Sequence, residues 1–276
     1  MEKGEFFERE ISAYERSILR LRSSGEYGDI VRQEFLDEDL DAAAERFASS
    51  AVAAEILAMV RETGAVQGAR ILDLGGGRGL LSRFLQGSGY RVTLLEVSRS
   101  PVCGLGALAG RNFPFCAVCG NGEAMPFGPA AFDLVICKQV LHHTRDLRCL
   151  LSEVQRVLRP GGSAIAYREH CLPWYGGKKA FLASHPSARH GAQENAFRTI
   201  TYCRAFRRSG FREVRLWDIR SPEQLWAEYT ADPRKRRWLS FPIVGRGLFA
   251  LACWKYSVWR YWCGAPGQVM SFIARK

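Results

Sequence analysis

No stretch near the amino terminus couples positive charge to an apolar run; the first ten residues, MEKGEFFERE, alternate acids and aromatics. That pattern argues against an export signal and sets the expectation of a cytoplasmic protein. A disulfide framework is missing too. Nine cysteines are scattered over 276 residues without regular spacing, which suits buried thiols in a reducing compartment. The one close pair, Cys116 and Cys119, has no second CxxC, and residues three apart on an extended strand face opposite ways, so it gives neither a zinc site nor a redox pair. The five histidines show no metal-ligand spacing, and no metal is expected. Long apolar runs are interrupted: in WLSFPIVGRGLFALACW, Pro242 and Arg246 break the stretch before it reaches a membrane-spanning length. There is no internal repeat.

Apolar residues are plentiful, 47% of the chain, enough for a sizeable core. The formal net charge is +11, but residues 1–65 hold 8 Lys/Arg against 15 Asp/Glu, and the remainder 31 against 13. An acidic arm can therefore lie against basic surface of its own chain or of a second subunit in a homo-oligomer. The expected organisation is a helical arm or lid at 1–40 and one domain at 41–276.

Helical spacing marks residues 5–22 and 41–63, with Asp41 as N-cap of the second. From Gly68 onward, short apolar runs alternate with amphipathic stretches, the signature of βαβ units. Strands are expected at 70–74, 91–97, 114–119, 132–137, 163–168, 211–217 and 268–274. The clearest helix is 146–158, with Leu147, Leu150, Leu151, Val154 and Val157 on one face, Asp146 as its cap and RPGG as its stop. Segments 170–198 and 219–266 fit no βαβ slot. The expected fold class is α/β, a seven-stranded sheet whose last strand, in QVMSFIARK, runs antiparallel beside FREVRLW. The helical arm precedes the sheet, and an aromatic-rich helical insertion precedes the last strand.

RILDLGGGRGL, residues 70–80, sets a strand, a glycine-rich turn and a helix in succession. Backbone this bare can approach a ligand closely while helix N–H groups point at it. The next strand ends in Glu96, where a ribose diol would be gripped. The dinucleotide fingerprint G-x-G-x-x-G fails, because the sixth position from Gly75 is Leu80, which disfavours a nicotinamide oxidoreductase. What stands instead is D-x-G-x-G-x-G: Asp73, Gly75, Gly77 and Gly79.

With the motifs downstream, this pattern resembles the class I S-adenosylmethionine (SAM) dependent methyltransferases, in particular the ubiquinone/menaquinone methyltransferase-like branch (methyltransferase domain type 11), over residues 45–217. The resemblance implies a Rossmann-like sheet and SAM as cofactor, with S-adenosylhomocysteine as product. It places the glycines under the methionine part of SAM, Asp73 near its amino group, and Glu96, in TLLEVS, on the ribose hydroxyls. CGNGEAMPF is similar to the family's G-D-A-E-x-L-P-F and would set Asn121 beside the adenine amino group, with Gly122 and Glu123 following. Asn121 stands where the family carries an acid, and an amide oxygen still accepts from an amino group. FDLVICKQVLHH resembles the fourth motif, with Lys138 near the methionine portion and His143 on the rim facing the acceptor.

Methyl transfer from a sulfonium is an in-line displacement, so donor and acceptor must be aligned and, for a hydroxyl or carbon acid, a proton removed. Ligands of open α/β sheets lie at the carboxyl ends of strands, which directs attention to His142, His143, Glu169 and His170. His143 is the first candidate base, with Glu169 and His170 behind it. His185 and His190 either close over the acceptor or belong to a surface loop. An Asn or Asp before Pro-Pro-Tyr and a Pro-Cys nucleophile are both absent, so the expected acceptor is a small molecule and not nucleic acid. The aromatics of 219–266 are expected to form a lid over an apolar or amphiphilic acceptor (quinone-like, isoprenoid or lipid-linked sugar), with 238–262 meeting an anionic membrane surface peripherally. The alternatives are an RNA acceptor, through PRKRRW, and a SAM-binding subunit without catalysis.

Overall fold

A computed structural model of the chain describes residues 3–24, 34–172, 177–192, 194–217 and 269–276. The aromatic-rich segment 219–266, with PRKRRW and the stretch expected to meet a membrane, lies outside them. The strands are β1 (Arg70–Leu74), β2 (Arg91–Glu96), β3 (Cys116–Cys119), β4 (Phe132–Lys138), β5 (Leu158–Leu172), β6 (Phe197–Arg198), β7 (Glu213–Leu216) and β8 (Val269–Arg275). The sheet runs β3-β2-β1-β4-β5-β8-β7, parallel up to β5. β8 is antiparallel to both of its neighbours, and the two-residue β6 pairs with the end of β5.

The inner strands read as continuous apolar runs because helices cover both faces. On one side α2 (Leu40–Ala48), α3 (Ala51–Glu62) and α4 (Leu80–Gly87) bury Phe47, Ile56, Met59 and Leu81 against Ile71, Leu94 and Ile136. On the other, α5 (Leu147–Val157) and α8 (Thr199–Arg208) bury Leu151, Val154 and Phe206 against Leu72, Val135 and Phe272. Three further helices lie outside these layers: α1 (Lys3–Ser24), α6 (Lys178–Ser184) and α7 (Pro186–Arg189). From α1, Ile18 and Leu21 pack with Phe35 and Cys103. No helix among the described residues is long and apolar enough to cross a membrane.

Three expectations need correction. The helix expected at 41–63 is two helices, broken where the Ser50 side chain accepts from the Ala53 N–H at 3.2 Å and starts α3 afresh. Asp39, not Asp41, caps α2: Asp39 is extended and takes the Ala42 N–H at 2.8 Å, whereas Asp41 already belongs to the first turn and pairs with Arg83 and Arg111. The strand expected at 163–168 extends over Leu158–Leu172, because Leu158 pairs with Phe132 and Cys171 with Phe197. Its ladder with β8 shifts register between Ala166 and Glu169, at Arg168, whose φ is +54°. That irregularity turns Glu169 inward beneath the exit of β4, as β-bulges beside functional sites commonly do.

The cap of α5 is as the sequence implies, with Asp146 Oδ1 accepting from the Arg148 and Cys149 N–H groups at 2.9 and 3.0 Å. Asp146→Ala should cost about 1 kcal/mol. Urea unfolding checks this as a lower midpoint at unchanged slope.

Candidate active site

A cavity of about 410 Å³ opens at the carboxyl ends of β1, β2 and β4. Gly75–Gly77 and Glu96 form its first wall, the chain from Lys138 to Arg145 its second, and Tyr14, Glu34 and Phe35 of the amino-terminal arm its third. Gly75 and Gly77 have φ of +68° and +54°, conformations that side-chain-bearing residues rarely adopt. A Cβ at Gly75 would also stand 2.6 Å from Val140 Cγ2, and one at Gly76 would collide with Leu94 and Asp73. The loop is bare because it is pressed between the cavity and the second wall.

Glu96 ends β2 with both oxygens engaged: Oε2 accepts from the Gly77 N–H at 3.0 Å and Oε1 from the Ser98 N–H at 2.7 Å. Burial pushes its carboxyl upward, and those N–H groups oppose the shift. Each oxygen keeps a further accepting position, so the carboxylate fixes the loop and still faces the cavity. Asp73 lies beneath the loop, off the cavity wall. Its Oδ2 accepts from the Ser82 hydroxyl at 2.7 Å, and its buried Oδ1 has no hydrogen-bond partner among the described residues. Burial drives this carboxyl up to about 6.

Asn121, Gly122 and Glu123 also lie off the cavity wall. Asn121 Oδ1 closes a tight turn by accepting the Glu123 N–H at 2.8 Å. Glu123 Oε1 takes the Thr144 hydroxyl at 2.5 Å and the Arg145 N–H at 2.9 Å, bracing the loop that carries His143. A Cβ at Gly122 would stand 2.6 Å from Leu150 Cδ1, so the turn packs directly on α5. Lys138 is on the cavity wall, paired with Glu34 at 2.5 Å and lying over the Phe47 ring.

The second wall continues into a cluster that sequence spacing did not reveal. Beyond β4 the chain makes a short 3-10 turn, Leu141–His143. Glu169, fully buried, accepts from the Val140 N–H at 3.0 Å and the His142 N–H at 3.2 Å, and its Oε2 lies 2.7 Å from His142 Nδ1. An oxygen pair so loaded with donors is an acceptor, so His142 carries its proton on Nδ1 and presents a bare Nε2. That nitrogen faces Glu194 Oε2 at 3.8 Å, and His143 Nδ1 faces the same oxygen at 3.9 Å. His185 Nδ1 stands 4.0 Å from Glu194 Oε1. The His170 ring lies 4.2 Å from that of His142 and 4.8 Å from that of His185. Four of the five histidines thus come together, and His190 is not among them.

Burial governs the charges here. It pushes the Glu169 carboxyl up to about 7 and that of Glu194 up to about 8, and it holds the rings of His142, His170 and His185 well below the usual histidine range. His143, its side chain 37% exposed, lies on the cavity wall, edge-on to Tyr14 at 5.9 Å between ring centres. Of the three expected bases, His143 therefore meets the cavity, Glu169 acts through His142, and His170 packs behind it. The residues that sequence reasoning missed are Tyr14, Glu34, Arg78 and Glu194. Glu194 gave no signal beyond being the one acid within SHPSARHGAQEN.

Residues 72–166 match the family model described as Methyltransferase domain. That segment is thus similar to methyltransferase domains, and the sheet it belongs to is Rossmann-like. A malonyl-[acyl-carrier protein] O-methyltransferase of Erwinia billingiae is 34% identical over 99 residues, which are 36% of this chain and 38% of that protein. The ubiquinone/menaquinone biosynthesis C-methyltransferase UbiE of Xanthomonas campestris is 33% identical over 120 residues, covering 39% of this chain and 46% of that one. The chain thus spans less than half the length of these relatives. Among solved structures, phosphoethanolamine N-methyltransferase 2 of Haemonchus contortus aligns with TM-score 0.55 at 16% identity, over 90% of this chain and 59% of that one. The [4+2]-cyclase SpnF aligns with TM-score 0.55 at 17% identity, over 95% and 93%. A fold shared with a protein named as a cyclase leaves the reaction to be argued from the site.

Asp73 offers a test of the buried donor end. Its folded carboxyl holds a proton up to about 6, whereas an unfolded aspartate loses it near about 3.9. The stability it contributes is therefore full below about 4 and is lost as pH rises through about 6. Asp73→Asn removes that dependence, so the wild type's melting temperature should gain on the variant's by several degrees as pH falls from about 7 to 5, given about 2–4 °C per kcal/mol in chains near this size. A flat difference across that range would place the carboxyl in its ordinary range.

Proposed function

We propose that the chain transfers a methyl group from SAM to a small acceptor seated between the glycine loop and the histidine wall. The observation that carries this reading is the join of two unlike surfaces in one cavity: a glycine turn locked to a buried carboxylate, and an imidazole at the end of β4. Glu96 would take the ribose hydroxyls, and the bare backbone at Gly75–Gly77 would pass under the methionine part. The orphaned Asp73 Oδ1 would favour the ammonium group from beneath. Asn121 would reach adenine with its remaining accepting position and its amide N–H groups.

The half of the cavity beside the histidines has Tyr14, Phe35 and Val140 on its walls, which supports an apolar or amphiphilic molecule: a quinone-like ring, an isoprenoid or a lipid-linked sugar. His143 and the buried groups behind it would handle the proton that such an acceptor loses. The reducing cytoplasm suits the cysteine usage. RNA is the second reading; it rests on the basic run PRKRRW, and the small cavity between the glycine loop and the histidines favours a small molecule over it.

Calorimetry with SAM, followed by mass spectrometry of a panel of acceptors for one added methylene, tests the whole reading. Glu96→Ala should weaken SAM binding about tenfold or more, since it strands two ribose hydroxyls and two backbone N–H groups. His143→Ala should leave SAM affinity alone and lower turnover by about 100-fold. Unchanged SAM affinity in a folded Glu96→Ala protein would misplace the donor.

The arm gives a further expectation. Deleting residues 1–33 removes Tyr14 but leaves Glu34 and Phe35, so the Michaelis constant for the acceptor should rise more than the dissociation constant for SAM. Equal effects on both would make the arm a general clamp, and no effect on either would remove it from the site.

A further inference from the structure

We propose that His142, His143 and Glu194 bind one divalent transition-metal cation of the zinc type, with an open coordination position facing the cavity. Three observations support it. First, Glu169 takes the Nδ1 proton of His142 and pins its ring at 2.7 Å, leaving Nε2 as a bare lone pair. A carboxylate behind a histidine in this way is the usual outer support of a metal-ligating imidazole, fixing both its tautomer and its direction.

Second, that lone pair and His143 Nδ1 both face Glu194 Oε2, an oxygen buried and without a hydrogen-bond partner among the described residues. A cation between these three atoms would give that buried oxygen the partner it lacks. Third, the distances fit. Ligand atoms at about 2.0–2.2 Å from one cation stand about 3.4 Å apart in a tetrahedron and at most about 4.3 Å apart. The two separations from Glu194 Oε2, 3.8 Å to His142 Nε2 and 3.9 Å to His143 Nδ1, fall between those limits, and the three side chains form one compact group of ligand atoms within 4.8 Å that a small inward shift would close around the ion.

Two imidazoles with one carboxylate favour zinc, cobalt or ferrous iron over calcium or magnesium. Three protein ligands leave a position free, as in catalytic and not structural sites. His142, His143 and Glu194 all line the cavity, so that position points where the acceptor would sit. His185 Nδ1 stands 4.0 Å from the other Glu194 oxygen.

The consequence for the reaction, which rests on the methyl-transfer reading, concerns the acceptor. With His143 engaged as a ligand in place of its role as base, a hydroxyl or thiol bound at the open position would release its proton to solvent water and attack the methyl carbon, while the carbon–sulfur bond breaks and its electron pair stays on sulfur. The substrate class this selects is a metal-coordinating alcohol, phenol or thiol.

The test uses the full chain, stripped by a chelator and titrated with cobalt(II), read by its visible d–d absorption. One equivalent should bind without a thiolate charge-transfer band, equally in wild type and in the double variant Cys116→Ser/Cys119→Ser, whose cysteines are exposed. Glu194→Gln and His143→Ala should each weaken binding on the order of 100-fold or more, and Glu169→Gln, acting through His142, by about 10–100-fold. Should Glu194→Gln fail to fold by circular dichroism, His143→Ala on the partly exposed rim decides the matter alone. No cobalt uptake, uptake unchanged by His143→Ala, or uptake lost in the cysteine variant overturns the site. SAM calorimetry on the same stripped protein separates the two readings: SAM binding without cobalt removes the cation alone, and cobalt binding without SAM removes the donor assignment and leaves the cation.

Discussion

The histidine end of the cavity depends on one fully buried carboxylate. Glu169 is fully buried and satisfies two backbone N–H groups of the turn after β4 together with the ring of His142. Without it, three donors would be stranded in a dry interior, at a cost of about 1–3 kcal/mol each. Its position is set by the irregular stretch of β5 at Arg168, where the register with β8 slips. A defect in the sheet ladder thus aims a carboxylate, the carboxylate aims an imidazole, and the imidazole fixes what Glu194 faces.

The glycine-loop end repeats the device with a different partner. Glu96 ends its strand, is almost wholly buried, and is held by the N–H groups of Gly77 and Ser98. In both places a strand of the parallel sheet delivers an acid to its carboxyl end, and backbone donors from a neighbouring turn meet it. The sheet order places β1 between β2 and β4, so the glycine turn lies between the two acids and can be reached from either side.

The strands were legible because apolar runs in a doubly covered sheet leave little room for another reading, and β8 was recognisable from its alternation alone. The cap of α2 was not: Asp39 and Asp41 are equally good capping residues, and the choice falls to Asp39 because Leu40 is buried as the first helical residue. The glycine turn and Glu96 came directly from the motif. Of the histidine cluster, His142, His143, Glu169 and His170 were expected at strand ends, whereas His185 and Glu194 lie in and beyond the stretch joining α6 to α7, and only the folded chain brings them beside the others. Asn121 and Glu123 carry a structural role that the motif did not announce. The motif drew attention to their possible ligand, while the structure gives their side chains work in closing a turn and bracing the next loop.

The arm is joined to the glycine loop by more than charge. Arg78 donates to the Glu34 carbonyl and, at 2.9 Å, to that of Asp37, while its guanidinium lies over the Phe35 ring. Three attachments on one side chain mean that the arm cannot swing away without releasing the residue that follows Gly77. The doorway is therefore shared. Displacement of the Glu34–Asp37 segment and displacement of the glycine loop are thereby linked through one side chain, so that two borders of a single cavity share a common hinge pin.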